Sequence, residues 1–227
     1  MAHPKLRAAS AALALLLTGT LTSGNALAAS APQPAPVPAP SEPGPHGPDS
    51  AVIDGFDETL LGVMKQADAL GYEGRAKELK PAIEQAFNIP LMTRIIVGAP
   101  WTEWTDDQRS QIVEAFRKFI VATYARRFDG YSGEDFVNDG EKPASGGGTL
   151  VTTRLTRPKD PAVTLTYLLR NGDNGPQIVD VFLTGTISEL ATRRSEFSAV
   201  LQQGGYQALL SALEKKTAAQ AAGGEPE

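Results

Sequence analysis

Histidine and cysteine, the side chains that most often act as bases, nucleophiles or metal ligands, are nearly absent from this sequence. The only histidines are His3 and His46, and there is no cysteine. Neither residue type therefore occurs between residues 49 and 216, the part that we expect to fold. Their absence excludes Ser-His-Asp and Cys-His nucleophile systems as usually built, structural zinc sites and His-ligated catalytic metals. We expect no metal and no cofactor.

Acid–base chemistry with carboxylates remains open. The candidate acids for a glycosidase-like or isomerase-like site are Asp129, Glu134, Asp135 and Asp180. Asp180 lies within an apolar strand pattern, where a buried acid needs a partner such as Arg170 or Arg193. An enzyme would use Asp180 with Tyr167 as its acid/base pair. The simpler interpretation is an Asp on a solvated sheet face or in a structural ion pair.

Two further segments invite a binding interpretation, and each has a plainer one. The run Gly146–Gly148 lacks the Lys-Ser/Thr of a phosphate-binding P-loop and precedes a strand, so it predicts a flexible turn. Arg193 and Arg194 follow a strand and open a helix, where they could form a docking patch. A solvated helix face is the simpler interpretation of the two arginines.

The sequence before residue 130 has a helical period. Apolar residues between Phe56 and Leu70 recur every three to four positions until Gly71 interrupts them. Further helices are predicted from about 73 to 87 and from 90 to 98.

The strongest helix signal begins at Thr105, where Thr105-Asp106-Asp107-Gln108 fits a capping box. Acids in the first turn and arginines in the last suit the helix dipole. A wide apolar stripe follows, and Gly130 is a natural terminator.

After residue 130 the apolar period changes from 3.6 to 2. Strands are predicted at 134–138, 149–156, 162–170 and 177–184, joined by short turns. A helix follows from 188 to 203, Gly204-Gly205 breaks it, and a last helix runs from 206 to 216. Helices, then strands, then helix predict an α+β fold, with helices on one side of a curved antiparallel sheet of about four strands.

Such a sheet, packed against aromatic helices, can leave an apolar cavity that holds a lipid tail. An ordinary filled core is the alternative that composition alone favours. If a cavity exists, we expect its lining to include residues from both halves of the chain: Trp101, Phe116, Phe119, Tyr124, Tyr167, Leu169 and Phe182.

The N-terminus has the layout of a secretory signal peptide. Lys5 and Arg7 precede an apolar run from Ala8 to Leu17, and Ala26-Leu27-Ala28 is a small-x-small cleavage pattern. Removal of residues 1–28 would change the net charge from −5 to −7, because the segment contains two bases and no acid. An acidic chain has no electrostatic footprint for nucleic acid or anionic lipid. Without cysteine, lipoprotein anchoring and disulfides are excluded.

The rest of the chain divides by composition. Residues 29–48 contain eight prolines and predict a disordered, extended tether. Residues 49–216 predict a single α+β domain, and residues 217–227 a disordered tail. The tether has two interpretations: a spacer that holds the domain off a surface or partner, or a leader with no specific role.

Several motifs together resemble the MlaC (toluene-tolerance) family. They are F-x-x-P-x-M from Phe87, W-x-x-x-T-x-x-Q-R from Trp101, and F-x-x-F-I-x-x-T-Y from Phe116, followed by Tyr131-Ser132-Gly133. The run from Val179 to Phe197 is similar to the hopanoid-associated HpnM branch of this family. The similarity covers nearly the whole predicted domain, in order and at natural spacing.

The resemblance implies an NTF2-like fold and a monomeric, non-enzymatic, periplasmic protein that carries lipid between the inner and outer membranes. Its implied cargo is a hopanoid, and its implied partner an inner-membrane RND-type hopanoid exporter. The alternative within the family is a phospholipid carrier that works with an ABC-type lipid complex. Less favoured alternatives are an NTF2-like enzyme and a scaffold that docks envelope proteins through the tether.

Overall fold

The computed structural model describes residues 46–172 and 175–223. The predicted signal peptide, residues 29–45 of the predicted tether and residues 224–227 of the predicted tail lie outside the described residues.

Five helices and five strands make up the described domain. The helices are α1 (Pro48–Lys65), α2 (Ala67–Ala86), α3 (Ile89–Val97), α4 (Asp106–Arg127) and α5 (Glu189–Ala221), and a 3-10 turn spans Ala99–Glu103. The strands are β1 (Asp135–Pro143), β2 (Thr149–Thr156), β3 (Val163–Gly172), β4 (Gly175–Leu183) and β5 (Ile187–Ser188). The predicted α+β class is confirmed, and only the two-residue β5 has no counterpart among the predicted strands.

A local signal places the start of α4, whereas the break between α1 and α2 differs from the prediction. The Thr105 hydroxyl accepts a hydrogen bond from the Gln108 amide nitrogen, and the Gln108 side chain accepts one from the Thr105 amide nitrogen. This is the predicted capping box. α1 ends at Lys65, earlier than predicted, and the break at Gly71 (φ 59°, ψ −174°) becomes a kink inside α2. Pro81 is accommodated within α2.

The strands form one antiparallel meander in the order β1-β2-β3-β4-β5. Tyr167 pairs with Val151 on one side and Val181 on the other, so these three side chains share a face of the sheet. The buried apolar residues of this face join one core cluster with the helices. We call it the helix-facing face. Thr166 pairs with Phe182, so both lie on the opposite face.

The last helix continues beyond its predicted end. Residues 217–221, expected to belong to a disordered tail, are helical because they remain attached to the domain. Gln220 is 5% exposed, and Arg126 donates a hydrogen bond to the Gly223 carbonyl oxygen. Gly204 and Gly205 have non-helical backbone angles and bend α5, as the sequence predicts. In the described part of the chain, no helix is both long and apolar enough to cross a membrane.

The bend in α5 should tolerate no side chain at Gly205. Its φ of 58° and ψ of −144° lie in a region that only glycine adopts readily. We expect Gly205→Ala to lower the free energy of unfolding by about 1–3 kcal/mol in urea denaturation.

Gly55→Ala is the matched control. Gly55 lies on the exposed side of α1, and an added Cβ would meet nothing within 4 Å. Because alanine is the better helix former, this variant should gain about 0.5–1 kcal/mol. Equal effects of the two substitutions would contradict the assignment of a built-in bend.

Candidate functional site

A row of aromatic rings runs from the interior of the domain toward its surface. The ring centroids of Phe87 and Tyr124 are 5.7 Å apart, those of Tyr124 and Phe128 5.6 Å, and those of Phe128 and Phe136 6.4 Å. Phe87 is buried, whereas the other three rings are half-buried. We call these four residues the aromatic row. It forms an apolar path beside the C-terminal end of α4 and the edge strand β1.

Six of the seven predicted lining residues belong to the core cluster or pack against it, and Phe182 does not. Tyr124 belongs to the aromatic row, whereas Tyr167 and Leu169 are buried on the helix-facing face of the sheet. Phe116 and Phe119 contact each other, and Phe119 packs edge-on against Phe197 of α5 with centroids 6.2 Å apart.

Trp101 packs at the margin of this cluster, and Phe182 lies apart from it. Trp101 packs with Trp104, which in turn packs edge-on against Tyr206 beyond the bend of α5. Phe182 lies on the opposite face of the sheet from Tyr167. The sequence predicts one lining that includes Phe182, but the register of β3 and β4 separates it from the others because side chains alternate along a strand.

Side chains pack the described space between the helices and the sheet. Tyr167, Leu169 and Ile178 are each at most 1% exposed. The described residues do form a groove of about 420 Å³, but it lies at the surface between α4 and α5. It is lined by Ser110, Gln111, Glu114, Ala115, Lys118, Leu210, Glu214 and Thr217. A lipid between the layers would therefore have to displace side chains that now contact one another.

One polar group interrupts this apolar interior. The Tyr167 hydroxyl donates a hydrogen bond of 3.4 Å to Oδ1 of Asp57, which is 5% exposed. Burial, together with the negative charge of nearby Asp54, raises the pKa of Asp57 to about 7. The Thr153 hydroxyl, which lies near the carboxylate without a well-aligned hydrogen bond, opposes that rise. We call Asp57, Thr153 and Tyr167 the buried polar trio.

The sequence analysis missed Asp57, although a signal for it exists. Asp57 lies four residues after Ile53 and three before Leu60, and both of these are fully buried. It therefore occupies a position on the apolar stripe of α1. Helical periodicity can therefore identify Asp57 as an acidic residue at a position where an apolar one is expected.

Asp180 has a structural role that differs from both proposed partnerships. Its carboxylate accepts hydrogen bonds from the Ser188 hydroxyl at 2.6 Å and the Leu190 amide nitrogen at 3.0 Å. It thereby fixes the start of α5 to β4. Arg170 instead donates to the Gly146 carbonyl oxygen, and Tyr167 lies on the other face of the sheet. The Asp180–Tyr167 acid/base pair considered from sequence is therefore not assembled.

Arg193 is engaged by its own helix and by α4. It forms ion pairs with Glu189 and Glu196, and its guanidinium carbon lies 5.3 Å from the Phe119 ring centroid. Arg194 is exposed. Of the two arginines considered for a docking patch, therefore, only Arg194 is exposed. Among the described residues, no cluster of three or more His, Asp or Glu side chains is arranged to hold a metal ion.

Comparisons with known proteins bear on fold and family. The family model described as MlaC protein matches residues 55–215. No curated protein matches the chain. Among solved structures, a phospholipid-binding protein from Ralstonia solanacearum, determined in complex with a phospholipid, superposes with a TM-score of 0.66 at 19% identity. The superposition covers 75% of this chain and 97% of that one.

Burial of Asp57 predicts a pH-dependent stability. Because its folded pKa of about 7 lies above the ordinary value of 3.8 for this side chain, the folded state binds the proton more tightly. Its contribution is fully present below the unfolded pKa and is lost as the pH rises toward 7. Asparagine cannot lose a proton, so only the wild type loses this contribution. The free energy of unfolding of Asp57→Asn minus that of the wild type should therefore be higher at pH 8 than at pH 5, by up to about 3 kcal/mol.

Urea denaturation of both proteins at pH 5 and at pH 8 measures how the difference between their free energies of unfolding changes with pH. Glu58→Gln, which neutralises the exposed neighbouring acid of α1, is the control and should show no comparable change. If the free energies of unfolding of wild type and Asp57→Asn changed with pH in parallel, the raised pKa of Asp57 would be contradicted.

Proposed function

The chain belongs to the MlaC family, and on that premise we propose that it is a periplasmic lipid carrier whose cargo is a hopanoid. The family match across residues 55–215 carries this proposal, because it spans nearly all of the described domain. The similarity of residues 179–197 to the HpnM branch supports the hopanoid assignment. The predicted signal peptide supports delivery to the periplasm.

The interior of the domain suits this task physically. An apolar molecule crosses water slowly because its exposed surface costs about 25 cal/mol per Å². A carrier must therefore enclose its cargo in apolar surroundings. We propose that the cargo enters along the aromatic row and separates the helices from the sheet. Its lining would then include Phe116, Phe119, Tyr124, Tyr167 and Leu169, with Trp101 at a more distant position.

A phospholipid is the alternative cargo. The Ralstonia solanacearum protein with the same fold was determined with a bound phospholipid, and this observation favours the alternative specifically. For a hopanoid the donor would be an RND-type exporter of the inner membrane, and for a phospholipid an ABC-type complex. In either case we propose a monomeric, non-catalytic carrier that needs neither metal nor cofactor.

The cargo can be identified directly. We expect protein purified from the periplasm, without detergent, to contain about one lipid per chain that organic extraction and mass spectrometry identify. A hopanoid supports the first proposal and a phospholipid the alternative. Protein that contains no lipid, and that takes none up from vesicles, contradicts both.

The entry path predicts a difference between two half-buried aromatic residues. Tyr124→Ala removes the centre of the aromatic row and should reduce lipid uptake from vesicles about tenfold or more. Phe182→Ala removes a ring of similar size from the opposite face and should leave uptake within about twofold of wild type. Thermal unfolding checks that both variants fold. The reverse order of effects would place the cargo on the other face.

A further inference from the structure

We propose that the buried polar trio is a subsite for the hydroxyl group of an otherwise apolar lipid. This inference rests on the proposed carrier function and deepens it, because it names the chemical class of the cargo. Asp57 comes from α1, and Thr153 and Tyr167 come from neighbouring strands of the sheet. The three residues therefore lie between the two layers that the cargo would separate.

The first observation is an unpaired hydroxyl in the middle of the sheet. Thr153 is fully buried, and its Oγ1, although close enough to Asp57 and Tyr167 to lower the pKa of each, makes no well-formed hydrogen bond among the described residues. Burying a hydroxyl without a partner costs free energy, about 1–3 kcal/mol in mutational data. Valine has nearly the same shape and would avoid this cost. The position of Thr153 therefore leaves one hydrogen bond available to a ligand.

The second observation is the carboxyl group beside it. Burial raises the pKa of Asp57 to about 7, so the neutral acid is well populated near neutral pH. A neutral carboxyl group both donates and accepts hydrogen bonds. It can therefore pair with an uncharged hydroxyl without burying a net charge. An anionic phosphate beside this acid would instead meet desolvation and repulsion from the ionised form.

The third observation is the position of the trio relative to the aromatic row. Tyr124 of the row contacts Phe56, the neighbour of Asp57, with ring centroids 5.5 Å apart. On the sheet, Asn138 pairs with Thr153, and Phe136, the outermost member of the row, lies two residues before Asn138 on the same face. A molecule that enters along the row therefore reaches the trio with its leading end.

These features discriminate between two kinds of lipid. The leading end of a diacyl phospholipid is hydrocarbon and would offer no hydrogen bond to the Thr153 hydroxyl, and Asp57 would keep only its hydrogen bond from Tyr167. A polycyclic alcohol whose hydroxyl enters first would satisfy both groups. A site built to bond a hydroxyl rejects the analogue that lacks it, because its polar groups are then left unpaired. We infer that the cargo is a lipid alcohol and that selection occurs at its hydroxyl.

Competitive loading from vesicles tests the subsite. The full-length mature protein is incubated with phosphatidylcholine vesicles that contain equal amounts of a pentacyclic triterpene alcohol and the corresponding hydrocarbon, and bound lipids are quantified by mass spectrometry. Wild-type protein should enrich the alcohol about tenfold. Thr153→Val should remove most of this enrichment while hydrocarbon uptake stays within about twofold. Thr166→Val is the matched control on the opposite face and should keep the enrichment.

The outcomes separate the subsite from the carrier function. Equal loading of alcohol and hydrocarbon by wild type, or loading of phosphatidylcholine alone, overturns the subsite and leaves a lipid carrier. An equal loss of both triterpenes in Thr153→Val also overturns it. Loading of no lipid contradicts the carrier function itself. If Thr153→Val does not fold, Thr153→Ala and Thr153→Ser decide together: only Thr153→Ser retains the hydroxyl, so it should keep the enrichment that Thr153→Ala loses, and equal enrichment by the two variants overturns the subsite.

Discussion

The need to cover one face of an antiparallel sheet is the constraint on which the rest of this structure depends. Side chains alternate along each strand, so Val151, Tyr167 and Val181 all project toward the helices. Helices supply the apolar surface that keeps these residues from water, and together they form one core cluster. The space between the two layers is therefore the apolar interior of the domain, and the contacts that stabilise it are those that a lipid would replace.

The buried polar trio shows how specificity can be introduced into such an interior. Thr153 reduces stability, because its buried hydroxyl makes no well-formed hydrogen bond among the described residues. Asp57 accepts one hydrogen bond, from Tyr167, and its burial disfavours the charged form. Polar groups held at such a cost are concentrated at functional sites. In a carrier, a ligand that satisfies them would bind more tightly than a purely apolar competitor. The carrier would then recognise its cargo without a charged pocket.

Asp180 illustrates the opposite use of a buried acid. Its carboxylate is satisfied by Ser188 and Leu190, at the point where the chain leaves the sheet and starts α5. From there α5 brings Phe197 against Phe119, bends at Gly204 and Gly205, and continues along α4. Two acids that are both buried therefore have different surroundings: Asp180 is held by Ser188 and Leu190, whereas Asp57 accepts one hydrogen bond from Tyr167.

The sequence by itself determined the elements of the domain and the class of protein. The capping box at Thr105, the change of period after residue 130 and the break at Gly204-Gly205 are local signals, and local signals predict helices and strands well. The family motifs are also read directly from the chain. Helix ends were less predictable: α1 stops at Lys65 rather than Leu70, and α5 continues to Ala221 because tertiary contacts hold its end.

Only the tertiary structure decided which residues meet. Strand register separates Phe182 and Asp180 from Tyr167, although all three belong to adjacent strands. The hydrogen bond between Asp57 and Tyr167 joins residues 110 positions apart, and local sequence patterns do not predict contacts over such a separation. Periodicity indicates that an acid lies on the apolar stripe of α1. It cannot indicate which strand residue lies opposite, because that depends on how the helix packs across the sheet.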